Sequence, residues 1–181
     1  QVELTRRFGH DVEFLDRDAI RARVASPTYE AGVVQRTGEA IVDPARLGWG
    51  LADAARSLGV EIYERTPMLG LARSGAGMAV RTESGTIRCG AVVLGTNAFK
   101  SPIAAINRTI APVYDYVLAT EPLSTDQLAS IGWTGREGIS DTTNQFHYYR
   151  LTADNRILWG GYDAIYHFGS KIDPSLDQRD E

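Results

Sequence analysis

The 181-residue sequence has one cysteine, Cys89. A lone thiol excludes an internal disulfide framework and a cysteine-rich zinc site, and it agrees with a reducing, cytoplasmic setting. The histidines, His10, His147 and His167, are far apart, so none has metal-ligand spacing to another or to the cysteine. No apolar run approaches the ~18 residues of a membrane span, and no signal-peptide core opens the chain. Positive charge is not in excess. Lys and Arg total 19 against 23 Asp and Glu, a net charge of −4, and no basic stripe is interleaved with aromatics. Nucleic acid and anionic membranes are therefore disfavoured as partners. The first residue is Gln1 rather than Met, and we expect a piece of a longer polypeptide.

The composition that remains, 43% hydrophobic and 23% charged, is that of a globular protein. The length suffices for one sizeable domain or two small intertwined ones. Asp16 is an N-cap ahead of Ile20 and Val24, whose i,i+4 spacing predicts a helix that Pro27 ends. "AGVVQRTGEAIVDP" reads as strand, turn, strand. Asp43 and Pro44 open a helix whose apolar face is Leu47, Leu51, Ala55 and Leu58, with Gly59 just past its end. Val60–Glu64 then reads as a strand. Glycine-containing turns predict a three-stranded antiparallel meander, Leu69–Arg73, Met78–Glu83 and Thr86–Cys89. It leads into Ala91–Leu94, apolar without interruption, as suits a strand covered on both faces. "IAPVYDYVLATEPL" reads as a long strand, Ser124 and Gln127 as a capping box opening a short helix to Ile131, and "QFHYYRL" with "RILWGGY" as a hairpin. The polar tail from Lys171 to Glu181 is expected to fray.

Gly95-Thr96-Asn97 ends the apolar run. In open α/β sheets ligands bind beyond the carboxyl ends of parallel strands, and a glycine there lets a ligand come close. The alternative is a plain strand-to-loop turn, since Gly and Asn are common turn residues.

The order helix, strand, meander, apolar strand resembles the D-amino-acid-oxidase-like superfamily of FAD-dependent oxidoreductases. The matching stretches are "IVDPARLGWGLADAARSLGVEIYERTPMLGL" and "GTIRCGAVVLGTNAF", with "HYYRLTADNRILWGGY" similar to the family's substrate-domain hairpin. Within the superfamily the chain looks closest to the glycine, sarcosine and γ-glutamylputrescine oxidase-like branch. The resemblance implies a mixed α/β fold: a partial FAD-binding α/β layer with a β-meander, over residues 43–109, and an antiparallel-sheet substrate domain from residues 1–42 and 110–181. It implies FAD as cofactor, with the main chain of Met68 meeting the adenine and Gly95, Thr96 and Asn97 lying along the phosphates and ribitol. The reaction implied is oxidation of a C–N bond in a small-molecule amine or amino acid, with hydride passing to the flavin and hydrolysis of the imine.

The family's glycine-rich fingerprint, G-x-G-x-x-G after a first strand, is not found. Gly75-Ala76-Gly77 has Val80 at the third position, and Gly48-Trp49-Gly50 has Asp53. The family's C-terminal flavin-contacting segment has no counterpart either. We therefore expect a central portion of an enzyme, inactive by itself, that exposes apolar surface and self-associates through an unpaired strand edge. His147, Tyr149 and Arg150 are the substrate-pocket candidates, Arg150 because a planar guanidinium suits a carboxylate. The alternative for these three is a half-buried strand with structural rings and a solvated Arg. A non-catalytic module that binds a ligand or partner chain is the competing function, and a nicotinamide-only dehydrogenase is disfavoured because it too needs the phosphate loop.

Overall fold

A computed structural model describes residues 2–161 and 164–178. The fold is mixed α/β, and every ladder among the described residues is antiparallel. The chain divides into two compact units, residues 1–44 with 115–163, and residues 45–114 with 164–181.

In the first unit, α1 (Val2–Arg7), β1 (Val12–Leu15), α2 (Arg17–Arg23) and β2 (Gly32–Gln35) follow in order. Asp16 caps α2 as expected: the Ala19 N–H donates to its carboxylate at 2.9 Å. β2 is the first half of the expected strand pair, but its partner is β1, upstream, in register Val12↔Gln35 to Leu15↔Gly32. The expected second strand does not form. Its Ile41 and Val42 stay exposed, whereas Val12 and Leu15 of β1 are buried.

The main sheet of this unit has the order β6-β9-β8-β7, from β6 (Val117–Ala119), β7 (Ile139–Ser140), β8 (Tyr148–Leu151) and β9 (Ile157–Gly160). The hairpin β8–β9 forms as read, though Tyr162 at its far end lies outside the described residues. The expected long strand shrinks to the three residues of β6. Pro112 and Pro122 cannot donate to a ladder, so pairing survives only between them. α5 (Thr125–Ile131) begins in the expected capping box of Ser124 and Gln127 and ends at Gly132, whose φ of 59° only a glycine adopts readily. The core sits between this sheet and the ends of α2 and α5. Val24, Trp133 and Leu151 are its buried centre, surrounded by Tyr29, Leu123, Leu128, Ile131, Ile139, Tyr149 and Ile157. The Ala25 N–H donates to Ile131 O at 2.8 Å, tying the two helix ends together.

In the second unit, α3 (Pro44–Ser57) runs into Gly59, at φ 87°. β3 (Gly70–Ser74), β4 (Gly77–Arg81) and β5 (Thr86–Cys89) form the expected meander. Two expected strands are absent: neither Val60–Glu64 nor Ala91–Leu94 belongs to a ladder. An extended segment becomes a strand only when a neighbour's N–H and C=O groups meet its own, and no strand lies beside either segment among the described residues. Both stay open, with Val93 94% exposed. The apolar stripe of α3 is likewise uncovered, and the helix has no buried residue. α4 (Ala104–Asn107) follows, its Asn107 side chain bonded at 2.8 Å to both the N–H and the C=O of buried Ser101. The tail corrects the expectation of fraying through residue 178. Pro174–Gln178 forms a 3-10 helix, Leu176 is buried, and the Asp173 N–H donates to the Tyr114 hydroxyl at 3.0 Å. Arg179–Glu181 lie outside the described residues.

Candidate active site

The hairpin β8–β9 places the chemistry of the first unit. Strand alternation sends Tyr149 and Leu151 to one face and Tyr148 and Arg150 to the other. On the Leu151 face, Tyr149 stands opposite Trp159, and their rings stack at 4.4 Å and 11°. Trp133 meets Tyr149 edge-on at 5.9 Å. His147, just ahead of β8, lies 5.4 Å from the Trp159 ring. The result is a row of three rings, His147, Trp159 and Tyr149. The Tyr149 hydroxyl is 2.5 Å from that of Tyr29. Burial first, and this hydrogen bond second, push the Tyr149 phenol well above its ordinary pKa, so it stays neutral.

The loop between β7 and β8 is organised by Asp141. Its Oδ1 accepts from the Thr143 hydroxyl at 2.6 Å and the Thr143 N–H at 3.0 Å. Its Oδ2 accepts from the His147 N–H at 3.1 Å and lies 2.9 Å from His147 Nδ1. The Asp141 N–H in turn donates to His147 O at 3.1 Å. The Thr143 hydroxyl, then His147, hold the Asp141 carboxyl far below the usual carboxylate range. An ionised carboxylate only accepts. The bond between the two side chains therefore runs from Nδ1–H of His147 to the carboxylate. A Cβ on Gly161 would lie 3.2 Å from the imidazole Cδ2, so glycine there leaves the ring room.

On the opposite face, Tyr148 lies across Gly160, where a Cβ would run into its ring. Its hydroxyl donates to Asp115 at 2.9 Å, which raises the phenol's pKa. Arg150 is half-buried beside it, and its guanidinium has no hydrogen-bond or ion-pair partner among the described residues. The structure thus brings His147 and Tyr149 together and puts Arg150 on the other side of the sheet. Asp141, Tyr29 and Trp159 join the constellation without having been singled out for it. Asp141 had a readable signal, an Asp two residues ahead of a Thr in a hairpin loop, where side chains bond local backbone. Tyr29 had none, because 120 residues separate it from Tyr149.

In the second unit, Met68 is half-buried ahead of the meander, and the Leu69 N–H beside it donates to Arg81 O at 2.8 Å. Gly95-Thr96-Asn97 is an open turn. The Phe99 N–H donates to Thr96 O at 3.0 Å, Asn97 is left-handed at φ 48°, and nothing lies within 4 Å of where a Gly95 Cβ would be. Unfilled space beside glycine backbone fits close approach of a nucleotide. Among the described residues no group of three or more His, Cys, Asp or Glu is placed to hold a metal ion, and no helix is long and apolar enough to cross a membrane.

A family model described as FAD dependent oxidoreductase matches residues 1–181. The chain is 33% identical over 164 residues to the gamma-glutamylputrescine oxidoreductase of Escherichia coli, covering 89% of this chain and 38% of that protein. It is 32% identical over 164 residues to a probable oxidoreductase, OrdL, of Haemophilus influenzae, covering 87% of this chain and 38% of that protein. It thus spans well under half the length of these curated relatives. Among solved structures, L-proline dehydrogenase from P. horikoshii matches with a TM-score of 0.70 at 20% identity, over 95% of this chain and 46% of that one. Glycine oxidase from Geobacillus kaustophilus matches at 0.67 and 19% identity, over 96% and 45%. These two similarities concern the fold.

Proposed function

The chain belongs to the FAD-dependent oxidoreductase (DAO) family, and from that premise we propose that its protein oxidises a C–N bond of an amine or amino acid. The observation that carries this reading is the family match along the whole chain. The name of the E. coli relative supports an amine substrate, and the ring row His147–Trp159–Tyr149 supports it physically, because aromatic faces attract ammonium groups. Bound FAD would accept the hydride, and the imine product would then be hydrolysed.

The second unit is assigned to the flavin layer and the first to the substrate domain. Gly95, Thr96 and Asn97 would lie along the cofactor's phosphates and ribitol, and the main chain of Met68 would meet its adenine. These are one edge of a nucleotide site, so the chain alone is expected to hold FAD weakly and to be inactive. His147 and Tyr149 would wall the amine. Arg150, on the opposite face and without a partner among the described residues, would serve a carboxylate only if the substrate reaches that face. Free Cys89 is consistent with a cytoplasmic protein. The uncovered stripe of α3 and the open segment Ala91–Leu94 favour self-association of the isolated chain. Light scattering should then give a mass that rises above the monomer with concentration, and a monomer throughout would refute it.

The test is spectroscopic. The flavin-loaded parent protein is mixed anaerobically with γ-glutamylputrescine, glycine, sarcosine and n-butylamine. Bleaching of the flavin band by at least one is expected. No bleaching by any of them would remove the reaction while leaving the fold intact.

A further inference from the structure

This inference rests on the amine-oxidising reading and deepens it. An alkylamine of ordinary basicity, with a pKa near that of Lys at ~10.4, reaches the protein at neutral pH as an ammonium ion. Its nitrogen lone pair is then tied up in an N–H bond and cannot assist loss of hydride from the adjacent carbon. A proton must leave first. From the geometry of the 141–147 loop we infer that Nε2 of His147 takes that proton and that Asp141 is the positioning residue that makes it able to.

The argument starts from hydrogen-bond capacity. Asp141 receives two bonds on each oxygen, all from donors within six residues, so its carboxylate is fixed in place and in charge. Facing it, His147 must present Nδ1–H. The neutral imidazole is therefore held as the tautomer whose Nε2 is a base. The side chain is 41% exposed, so a solute can reach it. One flank rests on Trp159, whose ring attracts a cation, and the lack of a Cβ at Gly161 spares the ring a carbon 3.2 Å from Cδ2. Among the described residues, the titratable groups joined to this row are Asp141, Tyr149 and Tyr29, whose hydroxyl meets that of Tyr149, and Tyr149 stays neutral. In the step itself an N–H bond of the ammonium breaks and an Nε2–H bond forms. The electron pair stays on the substrate nitrogen, and the resulting imidazolium is compensated by Asp141. No oxidant is consumed in this transfer.

Two measurements test it. Nitrogen-15 NMR of histidine-labelled protein should find neutral His147 protonated on Nδ1. Asp141→Asn should weaken that preference, since the amide carries no charge and only one of its two polar atoms accepts. In the flavin-loaded protein, the rate of flavin reduction by the best amine should rise with pH through one ionisation. His147→Gln, which keeps the backbone bonds of the loop, should abolish that limb and lower the maximal rate by about 10²-fold or more. Asp141→Asn should lower it similarly. A merely structural histidine would change flavin content or melting but not the shape of the pH profile. Finding Nε2–H in the wild type, or an unchanged rate and profile in His147→Gln, would overturn the role while amine oxidation stands. A wild-type flavin that no amine reduces would overturn the functional reading and this role with it, whatever the tautomer.

Discussion

The two units handle the same problem differently. In the first, each strand of the four-stranded sheet meets a neighbour, and one apolar face closes over Trp133 and Leu151. In the second, the strands of the meander pair with one another, but α3 and the segments at 60–64 and 91–94 leave apolar residues such as Leu51, Ile62 and Val93 in solvent. Of the buried hydrophobics, Val12, Leu15, Val24, Trp133 and Leu151 belong to the first unit and Leu176 to the second. The hydrophobic effect rewards only area actually removed from water. An amphipathic pattern therefore predicts what an element needs, not that the need is met.

The strongest challenge to this contrast is hydrogen exchange. Amides of Tyr148–Leu151 and Ile157–Gly160 should exchange at least about 10³-fold more slowly than those of Ala91–Leu94, which have no ladder partner. Comparable rates would mean that the segment is paired in solution and the contrast false. Next comes a pair of truncations read by urea unfolding. Leu151→Ala opens a cavity in the core and should cost about 2–5 kcal/mol. Leu51→Ala, on the uncovered face of α3 at 63% exposed, should stay within about 0.5 kcal/mol. Equal costs would show that α3 is covered after all.

A smaller effect is expected at the start of α5. Ser124→Ala removes the acceptor for the Gln127 N–H and should cost about 1 kcal/mol by the same unfolding measurement. The smallest concerns acid. The Asp141 carboxyl is depressed in the folded protein, so its stabilisation is complete above the unfolded value of ~3.9 and is lost as pH falls from there towards the folded value. The urea midpoint of Asp141→Asn should consequently fall less than that of the wild type between about pH 5 and pH 3. Identical slopes would show that Asp141 does not hold the 141–147 loop.

Much of this molecule was legible residue by residue. The Asp16 cap, the Ser124–Gln127 box, the glycine turns of the meander and the hairpin at 148–160 all appear where expected. Each is a local device, whose partners lie within a few residues or across one tight turn. His147 and Tyr149 could be placed on one face for the same reason, since alternation along a strand is a local fact.

Pairing at a distance was decided in three dimensions. β2 took β1 rather than its own downstream neighbour, and Tyr29 found the Tyr149 hydroxyl across most of the chain. Val60–Glu64 and Ala91–Leu94 have the composition of strands but no ladder, because a ladder is made jointly by two segments and composition describes only one. Short-range order is a property of consecutive side chains and their backbone. Which faces are covered, and which hydroxyl meets that of Tyr149, follow from groups that only folding brings within bonding distance.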